Sequence, residues 1–195
     1  MIEYIRKKPI FIISNLTKNR VIILIVFLCF LLSGCFFTRT NSKLTDYSKR
    51  RLSWDAWQRV MPDLNDLPDY INIFYQYRYK FLLIFVDESM ILVVNYDDET
   101  YDSEISKLND FNYLKEAVYC NNKNEYLLPE PEFKINSFNF RVLKEEHPGF
   151  PKYIGIIATS DERKSIAYLY YINTDRDLLS SNMVDFVEEY FRYDW

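Results

Sequence analysis

Apolar and polar residues alternate along the chain after residue 70, and this period of two constrains the fold more than any other feature of the sequence. Ile71, Ile73 and Tyr75 are followed at every second position by Tyr77 and Tyr79. The residues between them are polar, except for Phe74. A period of two is that of a β-strand with one buried face. We therefore predict a half-buried strand that begins near residue 70.

Further apolar runs predict more strands, joined by loops of hairpin length. These runs lie at residues 81–86, 90–96, 114–120, 133–143, 153–159 and 166–172. We expect Asp87, Glu88 and Ser89 to form the turn between the first two of these strands. The charged residues 161–164 are expected to form the turn between the last two.

Helical spacing of apolar residues is confined to three segments, at about residues 54–61, 100–109 and 183–192. Ser53 is expected to cap the first helix, and Asp97 or Asp98 the second. Strands and helices do not alternate strictly, so a parallel sheet is not indicated. We predict an α+β fold with a mostly antiparallel sheet of about 5–7 short strands and about 2–3 helices.

The composition excludes several kinds of site. The chain has only three Gly, which nearly excludes a glycine-rich phosphate-binding loop, and one His, which excludes a multi-histidine metal site. Hydrophobic residues make up 49% of its 195 residues, enough for one folded domain with a core. We expect no cofactor and no metal ion.

The N-terminus has the layout of a secretory leader. Five basic residues and one acidic residue lie in the first 20 positions, and twelve consecutive apolar residues follow at 21–32. The run ends in Leu32, Ser33, Gly34 and Cys35. These four residues resemble the lipobox of bacterial lipoproteins. The resemblance implies lipidation of the Cys35 thiol and cleavage between Gly34 and Cys35.

The resemblance also implies a division of the chain into three parts. Residues 1–34 would be a lipoprotein signal peptide, residues 35–52 the lipidated cysteine with a flexible tether, and residues 53–195 a single extracytoplasmic α+β domain. The tether is inferred from the polar, locally basic composition of residues 36–52. The alternative is a single uncleaved transmembrane helix at residues 21–37. Either interpretation places the chain after about residue 40 outside the cytoplasm.

Loss of the leader would make the protein strongly acidic. Residues 1–34 hold five of the 24 basic and one of the 28 acidic residues, so residues 35–195 carry 19 basic and 27 acidic residues, a net charge of −8. This charge argues against a nucleic-acid partner. Cys120 is the one cysteine that remains besides Cys35, so we expect no intramolecular disulfide.

Two groups of residues could carry chemistry, and each has a structural interpretation that the sequence favours. Cys120 and His147 are 27 residues apart with no orienting group indicated, so they more simply belong to a strand and a loop. The acidic residues between positions 97 and 104 could bind Ca²⁺ but also suit the first turn of a helix. These are Asp97, Asp98, Glu99, Asp102 and Glu104.

Aromatic residues suggest a binding surface. Tyr75, Tyr77 and Tyr79 would line one face of one strand and could stack on sugars or contact a protein. Trp54 and Trp57 would share one face of a short helix and could form a sugar-stacking platform. The competing interpretation is that these residues belong to the core of a chain that is rich in aromatic residues.

Together these observations predict a non-enzymatic protein of the bacterial envelope. A lipid at Cys35 would anchor it to a membrane, and its domain would bind an unknown envelope protein or glycan. An immunity or inhibitor protein against an exported toxin is one narrower form of this hypothesis. The alternatives are a cell-wall or carbohydrate-processing enzyme that uses two carboxylates, and a structural or assembly lipoprotein.

The anchor is tested by metabolic labelling with a fatty-acid probe. We expect the wild-type chain to take up the label and to begin at Cys35, with a mass increment of diacylglycerol size, because the Cys35 sulfur would form a thioether with a diacylglyceryl group that carries the fatty acyl chains. Cys35→Ala removes that thiol and is expected to abolish the label. A labelled Cys35→Ala chain, or an unlabelled wild-type chain that keeps residues 1–34, would contradict the lipobox interpretation.

Overall fold

The computed structural model describes residues 21–25, 36–82, 85–116, 118–119, 126–128, 130–144, 152–173, 183–191 and 193. The chain divides into two units, Met1–Phe37 and Thr38–Trp195. In the first unit, residues 21–25 are helical and exposed. None of the helices in the described ranges is both long and apolar enough to cross a membrane. The predicted lipobox, Cys120 and His147 lie outside the described residues.

Nine strands and four α-helices account for most of the second unit's described residues. The strands are β1 (Phe36–Asn41), β2 (Asn72–Leu82), β3 (Phe85–Asn95), β4 (Val118–Tyr119), β5 (Tyr126–Leu128), β6 (Glu132–Ile135), β7 (Phe138–Val142), β8 (Tyr153–Ser160) and β9 (Ser165–Asn173). The α-helices are α1 (Tyr47–Arg51), α2 (Asp55–Val60), α3 (Asp98–Lys107) and α4 (Met183–Tyr190). Two 3₁₀ turns lie at Leu44–Asp46 and Leu108–Asp110.

Seven strands form one sheet in the order β1-β2-β3-β9-β8-β7-β6, and β4 pairs with β5 separately. The pairs β2–β3, β3–β9, β9–β8, β8–β7 and β7–β6 are all antiparallel. The last four strands of the chain therefore form a continuous meander that joins the β2–β3 hairpin through β9. The predicted α+β fold with a mostly antiparallel sheet is confirmed.

Both faces of the sheet are covered, and the central strands are apolar on both sides. Along β3, all residues from Met90 to Val94 are fully buried, with even-numbered and odd-numbered side chains entering different cores. Helices α1, α2 and α3 pack on the first face. Helix α4 packs on the second face, together with Phe191. A strand that is buried on both faces reads as a continuous apolar run, which explains why the sequence loses its period of two there.

The predicted turn at Asp87, Glu88 and Ser89 is wrong. All three residues lie within β3, which pairs with β2 over eleven residues, so that the hairpin connection falls between Leu82 and Phe85. Polar residues are tolerated inside this strand because Glu88 and Asp87 accept hydrogen bonds from tyrosine hydroxyls. The predicted turn at residues 161–164 is confirmed between β8 and β9.

The predicted flexible tether is wrong for residues 38–52. Strand β1 forms an edge of the sheet, and Tyr47 of α1 is 0% exposed. The Tyr47 ring lies 5.3 Å from the Tyr75 ring, and its hydroxyl donates a hydrogen bond of 2.6 Å to the Pro62 carbonyl oxygen. Polar composition concealed this packing because Tyr47 is the one side chain of α1 that is buried.

The helix N-termini agree with the sequence in one case and differ in the other. Asp97 caps α3, since its Oδ1 accepts a hydrogen bond of 2.8 Å from the Thr100 backbone N–H. Ser53 does not cap α2, because its hydroxyl donates to the Arg50 carbonyl oxygen and the N-cap position is occupied by Trp54. Ser53 therefore hydrogen-bonds to the C-terminal end of α1 and does not cap the N-terminus of α2.

The folded status of α1 can be tested at Tyr47. Tyr47→Ala is expected to lower the free energy of unfolding by about 3–5 kcal/mol, because a fully buried aromatic side chain is lost. Ser48→Ala, at the exposed neighbouring position, is the matched control and is expected to change it by less than about 0.5 kcal/mol. Urea unfolding measures both values. Equal stability of wild type and Tyr47→Ala would mean that α1 is not part of the domain's core.

Candidate functional site

The predicted tyrosine binding face is wrong for Tyr75 and Tyr77, which are buried beneath helices. The Tyr75 ring packs edge-on against Tyr47, and the Tyr77 ring packs edge-on against Trp57 at 6.2 Å. Burial raises the pKa of Tyr75 to about 12, because the phenolate is poorly solvated there. Tyr79, farther along β2, is half-buried. These side chains form the floor of a core, since α1 and α2 cover that face of the sheet.

The two tryptophans have different environments, so they do not form one platform. Trp57 is buried, whereas Trp54 is 42% exposed. The Trp54 ring stacks on Trp57 at 6.2 Å and on Tyr153 at 5.9 Å. Stacking on these two rings therefore fixes the Trp54 side chain at the junction of α1 and α2, where part of it remains exposed to solvent.

Neighbouring carboxylates on β3 reach opposite faces of the sheet, as side chains of adjacent strand residues do. Glu88 accepts a hydrogen bond from the Tyr77 hydroxyl on the first face. Asp87 accepts a hydrogen bond of 2.8 Å from the Tyr190 hydroxyl on the second face. Because the sheet separates them, Asp87 and Glu88 cannot act together on one substrate.

Charged groups around Glu88 are arranged as a partly buried network. The Arg50 guanidinium lies 3.5 Å from the centroid of the Tyr77 ring. Burial raises the pKa of Glu88 above its ordinary value, and the Tyr77 hydrogen bond and Arg50 oppose this only in part. On the other face, Lys80 lies 3.9 Å from Asp87 and 3.5 Å from Glu189. These contacts join β2, β3 and the helices, which is a structural role.

Two of the acidic residues at positions 97–104 have structural roles in α3. Asp97 is its N-cap, and the hydrogen bonds that its carboxylate accepts hold the pKa of Asp97 below its ordinary value. Glu104 is buried and pairs with Lys107. Within the described residues, no cluster of three or more His, Cys, Asp or Glu side chains has metal-binding geometry.

A cleft of about 700 Å³ opens at the end of the sheet formed by β6 and β7, and the sequence did not indicate it. Its walls are Asn109, residues 111–115, residues 130–132 and Arg141. Backbone hydrogen bonds hold the wall in place, from Leu114 N–H to Val142 O (2.8 Å) and from Lys144 N–H to Asn112 O (2.8 Å). The segment 112–114 thus runs alongside the end of β7.

Arg141 organises one side of this cleft. Its Nε lies 3.1 Å from Glu132 Oε1, its cross-strand partner, and its guanidinium lies 3.5 Å from the centroid of the Tyr113 ring. The Phe111 ring lies 6.5 Å from Tyr113 and extends the aromatic wall. Burial is the main cause that raises the pKa of Tyr113, so its hydroxyl remains a neutral hydrogen-bonding group.

The cleft combines opposite charges with amides and aromatic surface. Lys115 and Glu130 are exposed at its rim, and the Asn109 and Asn112 amides can both donate and accept hydrogen bonds. Such a lining suits a ligand that itself carries donors, acceptors and mixed charge. Sequence reasoning missed the site because its walls come from segments that are distant in the chain, and contacts such as the bridge between Tyr113 and Leu143 bring them together only in the folded protein.

Comparison with protein-family models, curated proteins and solved structures finds no match to this chain.

The network around Glu88 predicts a defined pH dependence. Because the folded-state pKa of Glu88 is raised, its stabilising contribution is complete below the unfolded pKa and is lost as pH rises through the folded pKa. Glu88→Gln removes this titration while its amide oxygen can still accept from Tyr77. We expect the free energy of unfolding of Glu88→Gln, relative to wild type, to increase as the pH is raised from below to above the ordinary pKa of a glutamate side chain, about 4.3.

Urea unfolding at several pH values measures this difference. Glu162→Gln, at an exposed position in the turn between β8 and β9, is the matched control and is expected to show no such increase. A constant difference between Glu88→Gln and wild type across the same pH range would contradict the assignment.

Proposed function

We propose that this chain is a lipid-anchored extracytoplasmic protein that binds a polypeptide segment of an envelope protein and is not an enzyme. The observation that carries the proposal is the lipobox-like sequence Leu32–Cys35, which is followed within three residues by a folded α+β domain. A lipid at Cys35 would hold that domain at a membrane, and the cleft beside β6 and β7 would receive the partner.

The composition of the cleft supports a polypeptide ligand. Peptide groups carry one donor and one acceptor per residue, and the Asn109 and Asn112 amides match both. Lys115 and Glu130 offer opposite charges to side chains of the partner. The aromatic wall of Phe111 and Tyr113 provides apolar contact area, as aromatic side chains do in many interfaces.

The neighbouring edge strand supports the same conclusion. Strand β6 is last in the order of the seven-stranded sheet, so in the described part of the chain its outer edge has no strand partner. Its residues alternate between exposed and buried, with Glu132 and Lys134 exposed. An extended segment that adds to such an edge gains main-chain hydrogen bonds while its side chains enter an adjacent cleft.

A carbohydrate-processing enzyme is the second candidate, because Glu130 and Glu132 line the same cleft as two aromatic rings. It is less well supported. The Glu132 side chain is 64% exposed and paired with Arg141, whereas a general acid needs an environment that keeps it protonated. Asp87 and Glu88, the carboxylates in a less exposed setting, lie on opposite faces of the sheet.

Photo-crosslinking in the anchored protein tests the proposal. A benzophenone amino acid in place of Lys115 is expected to give one adduct of discrete mass in membranes, because the cleft rim contacts the partner. The same substitution at Asp102, exposed on α3, is the matched control and should give none. Arg141→Ala should strongly reduce the adduct formed by the benzophenone at position 115, since Arg141 positions Tyr113 and Glu132.

Two outcomes would count against a polypeptide partner in this cleft. One is the absence of an adduct at position 115 in cells that express the protein at its normal level. The other is the same set of adducts at positions 115 and 102, which would indicate random encounters. Fatty-acid labelling of the same samples reports separately on the anchor.

A further inference from the structure

We propose that residues 38–59 form a surface that docks directly onto an anionic phospholipid bilayer, so that the domain lies on the membrane instead of extending from it. This inference rests on the proposed lipid anchor at Cys35 and adds a second contact with the same membrane. The contact would fix the orientation of the domain, and with it the direction in which the cleft faces.

The first argument is the distribution of charge. Residues 38–59 contain six basic and two acidic residues, a net charge of +4, whereas residues 60–195 contain 13 basic and 25 acidic residues, a net charge of −12. An anionic surface attracts the first segment and repels the rest within roughly a Debye length, about 8–10 Å. The charge separation therefore favours one orientation of the domain.

The second argument is which basic side chains point outward. Arg50 and Arg51 are used within the domain, since Arg50 lies over the Tyr77 ring and Arg51 binds Asp63 at 3.2 Å. Arg39, Lys43 and Lys49 are exposed instead. A flexible tether would present these charges in any direction. The folded segment holds them on the domain's surface.

The third argument is exposed apolar surface in the same segment. Leu52 is 61% exposed at the end of α1, and Trp54, two residues later, is stacked on Tyr153 with its outer side open to solvent. Exposed tryptophan and aliphatic side chains beside lysines are typical of surfaces that insert into the headgroup region of a bilayer.

The fourth argument is the reach of the chain. Three peptide units separate Cys35 from Thr38, the first residue of the folded unit, so their Cα atoms are at most about 11 Å apart. A lipid on Cys35 would therefore keep Thr38 close to the headgroups. Because Tyr47 fastens α1 to the sheet, the surface that contains Lys49 and Leu52 cannot move away independently of the domain.

The experiment uses the purified, lipidated full chain in vesicles of phosphatidylcholine with phosphatidylglycerol, whose acyl chains carry bromine as a short-range quencher. We expect tryptophan fluorescence to be quenched, and Trp54→Phe to abolish most of the quenching. Trp57→Phe is the matched control and should leave the quenching unchanged, because Trp57 is buried.

Charge reversal tests the electrostatic part of the proposal. The double variant Lys43→Glu/Lys49→Glu should lose most of the quenching while it still floats with the vesicles. Lys134→Glu, at an exposed position on β6, is the matched control and should retain it. Vesicles of phosphatidylcholine alone should reduce the wild-type quenching in the same way as the double variant.

Flotation and quenching separate the two proposals. Flotation with quenching that survives Trp54→Phe, or without any quenching, overturns the docking surface and leaves the lipid anchor intact. Failure to float, with a mass that shows no lipid, overturns the proposed function and the docking surface together. Flotation with quenching that depends on Trp54 and on the two lysines supports both.

Discussion

The central strands of the sheet are apolar on both faces, so other parts of the chain must cover each face. Residues Met90–Val94 of β3 are fully buried, and β9 beside it is buried over nearly its whole length. A sheet of this kind is stable only when chain from elsewhere covers each face. The N-terminal helices and α3 cover one face and the C-terminal helix α4 covers the other, so that both ends of the folded chain are needed to complete the core.

Two adjacent acidic residues of β3 are accommodated beside this core because tyrosine hydroxyls donate hydrogen bonds to them. Glu88 and Asp87 each accept a tyrosine hydroxyl, from Tyr77 on one face and Tyr190 on the other. This arrangement explains how a strand can carry two adjacent acids without ending in a turn. It also commits both carboxylates to contacts within the domain, as pairing with Lys107 does for the buried Glu104.

The short distance along the chain between Cys35 and the folded unit connects the proposed lipid anchor with the proposed membrane-docking surface. The folded unit begins at Thr38, three residues after that cysteine, so the anchored domain would have little freedom to leave the membrane surface. A basic, partly apolar surface around Lys49 and Trp54 would then face the lipid, and the acidic remainder of the domain would face away. A partner of the cleft would accordingly be sought among proteins within reach of that membrane.

The fold class, the turn at residues 161–164, a helix cap at Asp97 or Asp98 and the leader-like pattern that ends at Cys35 can all be read from the sequence alone. These follow from short-range patterns, because side-chain period, turn residues and helix capping act over a few positions. Three features become visible only in the folded protein: Tyr47 belongs to the core, Glu88 lies within a strand, and Arg141 contacts Tyr113 in a cleft. Each of these depends on contacts between segments that are distant in the chain, and burial on two faces erases the local periodicity that would have indicated them.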